Sequence, residues 1–190
     1  MDLADLDPDP ITQLRRWKAD AGSDAACLAT AGADGLPDAR MVLVASIDPE
    51  GISFFTNRAS AKGRQLAENP NAALVFYWHD DRQIRVRGPV EQVGDNASDA
   101  HWTTRPVGAR LGAWASEQSS VVDDRAALER RLAAVGARFG EGDIPRPDFW
   151  GGYVVRPALV EFWHHRDDRL HDRIRYRRDS GAWVRERLSP

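Results

Sequence analysis

RMVLVASIDPEGISFFT, residues 40–56, is the stretch of the chain that decides the fold. Residues 40–47 form a nearly continuous apolar run, which predicts a strand covered on both faces. Residues 48–51 have the composition of a tight turn, and residues 52–56 predict a second strand. Two strands joined by so short a turn must run antiparallel, so the sheet that contains this hairpin is predicted to be antiparallel.

Similar short strands recur on both sides of this hairpin. They are predicted at residues 26–30, 72–78, 83–93, 153–163, 173–178 and 183–188. Helices are predicted from Asp9 to Gly22, from Ser60 to Glu68, at residues 95–104, from Pro106 and at residues 123–139. Many short strands with helices inserted favour a mainly β (α+β) antiparallel barrel with peripheral helices. We expect one domain over residues 9–190, preceded by a mobile arm at residues 1–8.

Bulk composition excludes several classes of protein. The chain has 190 residues and a formal net charge of −3, so no global charge draws it to nucleic acid. The acidic N-terminus is not a signal peptide, and no apolar run is long enough to span a bilayer. The single cysteine, Cys27, lies in an apolar strand and is predicted to be a buried structural residue. These features predict a cytoplasmic protein without membrane or nucleic-acid partners.

The common catalytic and nucleotide-binding motifs are missing. The chain has no G-x-G-x-x-G, P-loop, G-x-S-x-G or H-E-x-x-H motif. Glu161 and His164 are three residues apart, and in a strand this spacing places them on opposite faces. We therefore expect no metal site.

Clusters of basic side chains indicate instead that the ligand is an anion. Arg40 opens the central strand, and Lys62 lies in the first turn of a predicted helix, where backbone N–H groups favour anions. Residues 169–178, RLHDRIRYRR, are predicted to line up arginines and His171 on one strand face. Guanidinium groups bind carboxylates or phosphates in a bidentate manner. A solvated strand face is the alternative interpretation.

Taken in order, these segments resemble the pyridoxamine 5′-phosphate oxidase family from about Asp9 to Pro190. The motifs that carry the resemblance are RMVLV from Arg40, FFTN from Phe54, SAK from Ser60, ENP from Glu68, RQ at Arg82, RP at Arg105, GAWASEQSS from Gly112, FWGG from Phe149, and VEFW from Val160 followed by RLHDR from Arg169. The last pair is the most specific. The resemblance implies a dimeric split barrel that binds FMN at the subunit interface.

The resemblance also implies roles for individual residues. Arg40, Lys62, Gln118 and Ser119 would hold the FMN phosphate, and the backbone of Met41, Val42, Leu43 and Val44 would meet the flavin ring. Phe55, Thr56, Gln83, Trp163 and Arg173 would line the rest of the cofactor site. Arg169 and His171 would be the catalytic residues, and His101, Arg105, Arg169, Leu170 and His171 would contact the substrate. The implied chemistry is hydride transfer to the flavin, which dioxygen reoxidises with release of hydrogen peroxide.

The chain departs from the vitamin B6 enzymes where they bind the substrate phosphate. Ala45, His101 and Ala109 stand where a lysine, a tyrosine and a serine are expected, and only Arg105 of that set remains. Ala61 also replaces a basic flavin-phosphate contact. The phenazine-biosynthesis flavin oxidases are similar to this chain at Ala45 and around His101. An oxidase of a reduced, carboxylated ring is therefore the leading expectation. A pyridoxine or pyridoxamine 5′-phosphate oxidase and a non-catalytic flavin-binding protein are the alternatives.

Overall fold

The computed structural model describes residues 1–190, which form nine strands and five α-helices. The strands are β1 (Ala25–Ala31), β2 (Pro37–Asp48), β3 (Gly51–Asn57), β4 (Asn71–Trp78), β5 (Arg82–Gln92), β6 (Trp150–Val155), β7 (Leu159–His164), β8 (Asp172–Asp179) and β9 (Ala182–Arg187). The helices are α1 (Pro10–Ala21), α2 (Ala61–Glu68), α3 (Asp95–Thr103), α4 (Val107–Ala115) and α5 (Arg125–Phe139). None of these helices has the length and apolar character needed to cross a bilayer.

All strand pairings are antiparallel, and six strands close into a barrel. Their order is β4-β1-β2-β3-β6-β5, and the pairing of β5 with β4 completes the ring. Strands β7, β8 and β9 extend the sheet from β5. This architecture confirms the predicted split barrel. A cluster of 24 buried apolar residues forms the core, to which helix α1 contributes Leu14 and Trp17.

Capping residues mark both ends of α1 and the start of α2 where the sequence predicts. The side chain of Asp9 accepts the N–H of Thr12 at the start of α1, and Gly22 ends that helix in the left-handed conformation. Ser60 caps α2 through the N–H of Gly63. Because Lys62 is the second residue of this helix, the cap also fixes where its side chain begins.

The strand predicted at residues 153–163 is in fact two strands, β6 and β7. They pair with different parts of β5: β6 lies along Val90–Gln92 and β7 lies along Arg82–Arg87. The chain crosses between them at residues 156–158, where Pro157 has no N–H to offer a ladder. At this crossing, Gly88 of β5 meets the backbone of Arg156 so closely that a Cβ would lie 1.8 Å from its carbonyl oxygen.

Residues 1–8 contact the C-terminal strands β8 and β9, whereas the sequence predicts a mobile arm there. Leu6 is buried in the core. The hydroxyl of Tyr176 donates to the carbonyl of Asp7 at 2.7 Å, and Arg185 Nη1 donates to the carbonyl of Leu3 at 2.8 Å. The aspartate-rich composition suggested a solvated segment, but one buried leucine and two backbone acceptors attach it to the C-terminal strands.

The outer face of β2 also differs from its prediction. The apolar run predicts cover on both faces, yet the Met41 and Leu43 side chains are 64% and 73% exposed in the single chain. Val44, which points to the opposite face of the strand, is buried. On the neighbouring strand β1, Cys27 is half-buried rather than fully buried. One face of this strand pair is therefore apolar without being covered.

Candidate active site

Lys62 is a buried cation without an acidic partner in direct contact. The residue is only 7% exposed, and its ammonium group contacts Ser60 Oγ at 3.3 Å and Gln118 Oε1 at 3.4 Å. Burial, reinforced by the nearby positive charge of Arg40, lowers the pKa of Lys62. A buried charge that lacks a counterion is costly, so this position favours an anionic ligand.

Arg40 supplies a second cation beside Lys62. Its Nη1 donates to Thr30 Oγ1 at 2.5 Å, and its Nη2 donates to Gln65 Oε1 at 3.1 Å and to the Asp38 carboxylate. Thr56 Oγ1 lies 3.2 Å from Gln118 Oε1, the same amide oxygen that the Lys62 ammonium contacts. We call Arg40, Lys62, Thr56 and Gln118 the cation cluster. Residues from β2, β3, α2 and the segment that follows α4 are thus brought together around one anion-favouring position.

Aromatic side chains stack next to the cation cluster. The rings of Phe55 and His101 are parallel, with centroids 3.9 Å apart, and the Trp150 ring lies near-parallel to both, 5.4 Å from Phe55 and 6.1 Å from His101. The Arg105 guanidinium lies 4.9 Å from the Trp150 ring. A cleft of about 150 Å³ opens here, and its lining residues are Phe55, Thr56, Asn57, Arg105, Ala113, Ser116, Gln118 and Trp150.

Two ionisable residues at this cleft, Arg105 in its lining and His101 stacked on Phe55, have perturbed pKa values. Burial, with the positive charge of Arg105 added, lowers the pKa of His101, so the imidazole is neutral at physiological pH. Burial also lowers the pKa of Arg105. The Nε of Arg105 is buried without a hydrogen-bond partner, while its Nη2 donates to the carbonyl of Ala109 at 3.0 Å. An anionic or polar substrate group would satisfy this donor.

A second group of predicted residues lies on the C-terminal strands. Gln83 pairs with Trp163 and Trp163 pairs with Arg173, so the three form a row across β5, β7 and β8. Glu161, only 3% exposed, accepts from Arg173 Nε at 2.8 Å, and Arg173 Nη1 donates to the carbonyl of Ser189 at 2.9 Å. We call Gln83, Trp163 and Arg173 the C-terminal row.

The catalytic residues predicted by resemblance lie in a loop and not in a strand. Residues 169–171 precede β8, and Arg169 has a left-handed backbone with φ of 67°. The predicted alignment with the later arginines therefore holds only from Arg173 onward. The His171 ring lies 4.8 Å from Trp163, and its Nδ1 accepts the N–H of Arg166 at 3.1 Å. In the neutral ring the proton is then on Nε2, which makes His171 a donor.

The cation cluster and the C-terminal row do not meet within one chain. No hydrogen bond, ion pair or ring contact joins them. Of the remaining predicted site residues, Leu170 is exposed in the loop before β8. Ser119, which has a left-handed backbone with φ of 75°, directly follows Gln118 of the cation cluster. The residues that the resemblance assigns to the cofactor thus form two separate groups in one chain, and the apolar side chains of Met41 and Leu43 are exposed.

A closed six-stranded antiparallel barrel extended by three further strands, with a buried lysine and a partly buried arginine near an aromatic cleft, defines a split-barrel protein. Comparison with known proteins makes the assignment specific. Residues 15–139 match the family described as "Pyridoxamine 5'-phosphate oxidase". Residues 150–190 match the "Pyridoxine 5'-phosphate oxidase C-terminal dimerisation region". The chain belongs to the pyridoxamine 5′-phosphate oxidase family, which confirms the predicted resemblance.

Individual relatives cover nearly the whole chain. A pyridoxine/pyridoxamine 5′-phosphate oxidase of Thermosynechococcus vestitus is 52% identical over 98% of this chain and 92% of its own length. Another, from Ralstonia nicotianae, is 50% identical over 100% and 93%. The structure of PhzG from Burkholderia lata 383, in complex with tetrahydrophenazine-1-carboxylic acid, superimposes with a TM-score of 0.91 at 36% identity, covering 97% of this chain and 94% of PhzG.

Two acidic residues of the site were not predicted. Asp38 contacts Arg40 two residues away on β2, a spacing that places both on one face and could have indicated the pair. Glu161 was considered only as a metal ligand, but it holds Arg173 from the adjacent strand. Cross-strand pairing depends on register, which the sequence of one strand does not specify.

Proposed function

We propose that the protein is an FMN-dependent oxidase whose cation cluster binds the FMN phosphate. The observation that carries this proposal is the buried Lys62 ammonium, which lies beside Arg40 and lacks a direct anionic partner. A phosphate group would supply that charge and accept from Gln118 or Thr56 after small rotations. The apolar side chains of Met41 and Leu43 and the Phe55 ring offer surfaces suited to a flavin.

Bound FMN would supply the two-electron acceptor, with dioxygen as the terminal oxidant that leaves as hydrogen peroxide. The chain's own residues would bind and orient the substrate. Arg169 would pair with a negatively charged group, and His171, whose Nδ1 accepts from the Arg166 N–H, would present its Nε2 to a substrate oxygen. Arg105 would present its free Nε to a second polar group. Positioning of the reacting carbon is the protein's main contribution.

For the substrate, we propose a reduced ring that bears a carboxylate and lacks a phosphate. Ala45 and Ala109 carry no polar side chain, and His101 is neutral and stacked on Phe55. Arg105 is therefore the one cation left where the family resemblance implies a phosphate pocket. The similarity to PhzG, which was solved with a tetrahydrophenazine carboxylic acid, supports this choice.

A second candidate is oxidation of pyridoxine or pyridoxamine 5′-phosphate. Relatives with those names are 48–52% identical over nearly the entire chain, which is a closer sequence match than that to PhzG. Arg105 would then bind the substrate phosphate alone. The two candidates can be distinguished by measuring how much a lysine at position 45 raises the activity toward pyridoxine 5′-phosphate.

Ala45 lies at a β-bulge, where the register of β2 and β3 shifts between Val44 and Ser46, and it is exposed. We expect Ala45→Lys to raise kcat/KM for pyridoxine 5′-phosphate by about tenfold or more, because one charge-assisted hydrogen bond contributes roughly 1.5–3 kcal/mol. Ala45→Met, of similar length but uncharged, is the matched control. If the wild type oxidises pyridoxine 5′-phosphate efficiently and Ala45→Lys adds nothing, the second candidate is correct.

We also propose that the active protein is a homodimer. The C-terminal match to a dimerisation region supports this, as do the exposed Met41 and Leu43. A second copy would cover the apolar face of β2 and bring a C-terminal row next to a cation cluster. Sedimentation of the purified protein as a 21.2 kDa species would contradict this proposal.

A further inference from the structure

Asp38 accepts a hydrogen bond from Arg40 that an anionic ligand of the cation cluster would otherwise accept. It lies two residues before Arg40 on the same face of β2, and its carboxylate accepts from Arg40 Nη2. The opposite nitrogen, Nη1, donates to Thr30 Oγ1. Both terminal nitrogens of Arg40 are therefore already hydrogen-bonded within the chain. The Asp38 side chain is 51% exposed, so rotation toward solvent is open to it.

The charges of the cluster show what this contact does. Arg40 and Lys62 together carry two positive charges, and Asp38 is the one carboxylate that contacts either of them. The Arg40 charge lowers the pKa of Asp38, so the carboxylate is ionised at neutral pH. Its negative charge also opposes the lowering of the Lys62 pKa by burial and by Arg40. Asp38 thus reduces the repulsion between two neighbouring cations.

We propose that Asp38 is an internal competitor for the FMN phosphate. Its carboxylate neutralises Arg40 while no phosphate is bound, and it must leave Nη2 before a phosphate can bind there in a bidentate manner. FMN affinity is thereby set lower than the two cations alone would allow. This inference rests on the proposed FMN site.

The test is a titration of apoprotein with FMN, followed by quenching of flavin fluorescence, for the wild type and Asp38→Asn. We expect Asp38→Asn to bind FMN about three- to tenfold more tightly, because the cluster gains one net positive charge. Affinity for riboflavin, which has no phosphate, should be unchanged. The thermal midpoint of the Asp38→Asn apoprotein should fall, since the cations then repel without compensation.

Asp48→Asn is the matched control. Asp48 lies at the other end of β2, is 53% exposed and faces Arg15, so its loss changes the net charge equally without touching the cluster. FMN affinity of Asp48→Asn should equal that of the wild type. If the wild type binds FMN and Asp38→Asn binds it equally or more weakly, Asp38 orients Arg40 and this inference is wrong. If neither protein binds FMN, the proposed cofactor site fails and this inference fails with it.

Discussion

At the scale of single residues, the site is governed by charges that the fold buries without full compensation. Lys62 is the clearest example, because its ammonium contacts only a hydroxyl and an amide oxygen. A group of this kind lowers the stability of the empty protein and increases its affinity for an anion. Stability and ligand affinity should therefore change in opposite directions when Lys62 is replaced.

We expect Lys62→Met to weaken FMN binding by about 10- to 100-fold, the equivalent of roughly 1.5–3 kcal/mol for one hydrogen bond to a charged group. The same change should raise the thermal midpoint of the apoprotein, because a methionine of similar length buries no charge. Fluorescence titration and thermal unfolding measure the two effects. A variant that loses FMN affinity and also melts earlier would show that Lys62 has a structural role instead.

The lowered pKa of Lys62 adds a pH dependence to this prediction. Burial disfavours the ammonium, so Lys62 of the apoprotein loses its proton at a lower pH than an ordinary lysine, whose pKa is 10.5. FMN affinity should therefore decrease as the pH rises through that lowered pKa, while Lys62→Met, which has no ammonium to lose, should lack this decline. The ionised Asp38 keeps its charge throughout this range and does not contribute.

The sequence indicates which residues form the candidate site, but it does not indicate which side chains they contact or which backbone conformation they adopt. Arg40, Lys62, Thr56 and Gln118 do converge, and their roles stay predictions until FMN binding is measured. The partners Asp38 and Glu161 were missed because a pairing between side chains depends on rotamers and on strand register. The loop conformation of Arg169 was missed because a left-handed φ at a non-glycine residue has no strong sequence signal.

At the scale of secondary-structure elements, the contact between β5 and the crossing from β6 to β7 is the most constrained part of the barrel. A Cβ on Gly88 would lie 1.8 Å from the Arg156 carbonyl oxygen and 3.0 Å from the Ala158 nitrogen, both of them backbone atoms. Backbone cannot rotate away as a side chain can. Gly88 is thus required where β5 changes its partner strand.

We expect Gly88→Ala to lower the free energy of unfolding by about 2 kcal/mol or more, as measured by urea denaturation. Gly136→Ala is the matched control, because Gly136 lies inside the exposed helix α5 and a Cβ there meets nothing within 4 Å. That substitution should raise stability by about 0.5–1 kcal/mol. Equal effects of the two substitutions would contradict the close approach at Gly88.

Element prediction succeeded where local signals are strong and failed where distant parts of the chain decide. Capping residues placed α1 and α2 correctly, since a cap is a local interaction. The single strand predicted at residues 153–163 was wrong, because the need to pair with two parts of β5 breaks it at residues 156–158. The apolar run of β2 predicted two covered faces, but one of them lacks cover within the chain.

At the scale of the whole molecule, the proposed functional residues are divided between two surfaces. The cation cluster and its cleft lie with β2, β3, α2 and α4, whereas the C-terminal row lies on β5, β7 and β8. Neither surface alone has both the proposed phosphate site and the proposed catalytic residues Arg169 and His171. The proposed dimer resolves this division, and it explains why apolar side chains of β2 remain exposed in one chain.

The most direct test of the central claim is anaerobic reduction of the FMN-loaded protein, followed by the loss of flavin absorbance after mixing with substrate. A reduced carboxylated ring, such as a tetrahydrophenazine carboxylic acid, should bleach the flavin rapidly, and pyridoxine 5′-phosphate should bleach it slowly or only at high concentration. Admission of dioxygen should restore the absorbance and release hydrogen peroxide. Rapid bleaching by pyridoxine 5′-phosphate alone would contradict the proposed substrate, and a flavin that neither compound reduces would contradict the proposed oxidase.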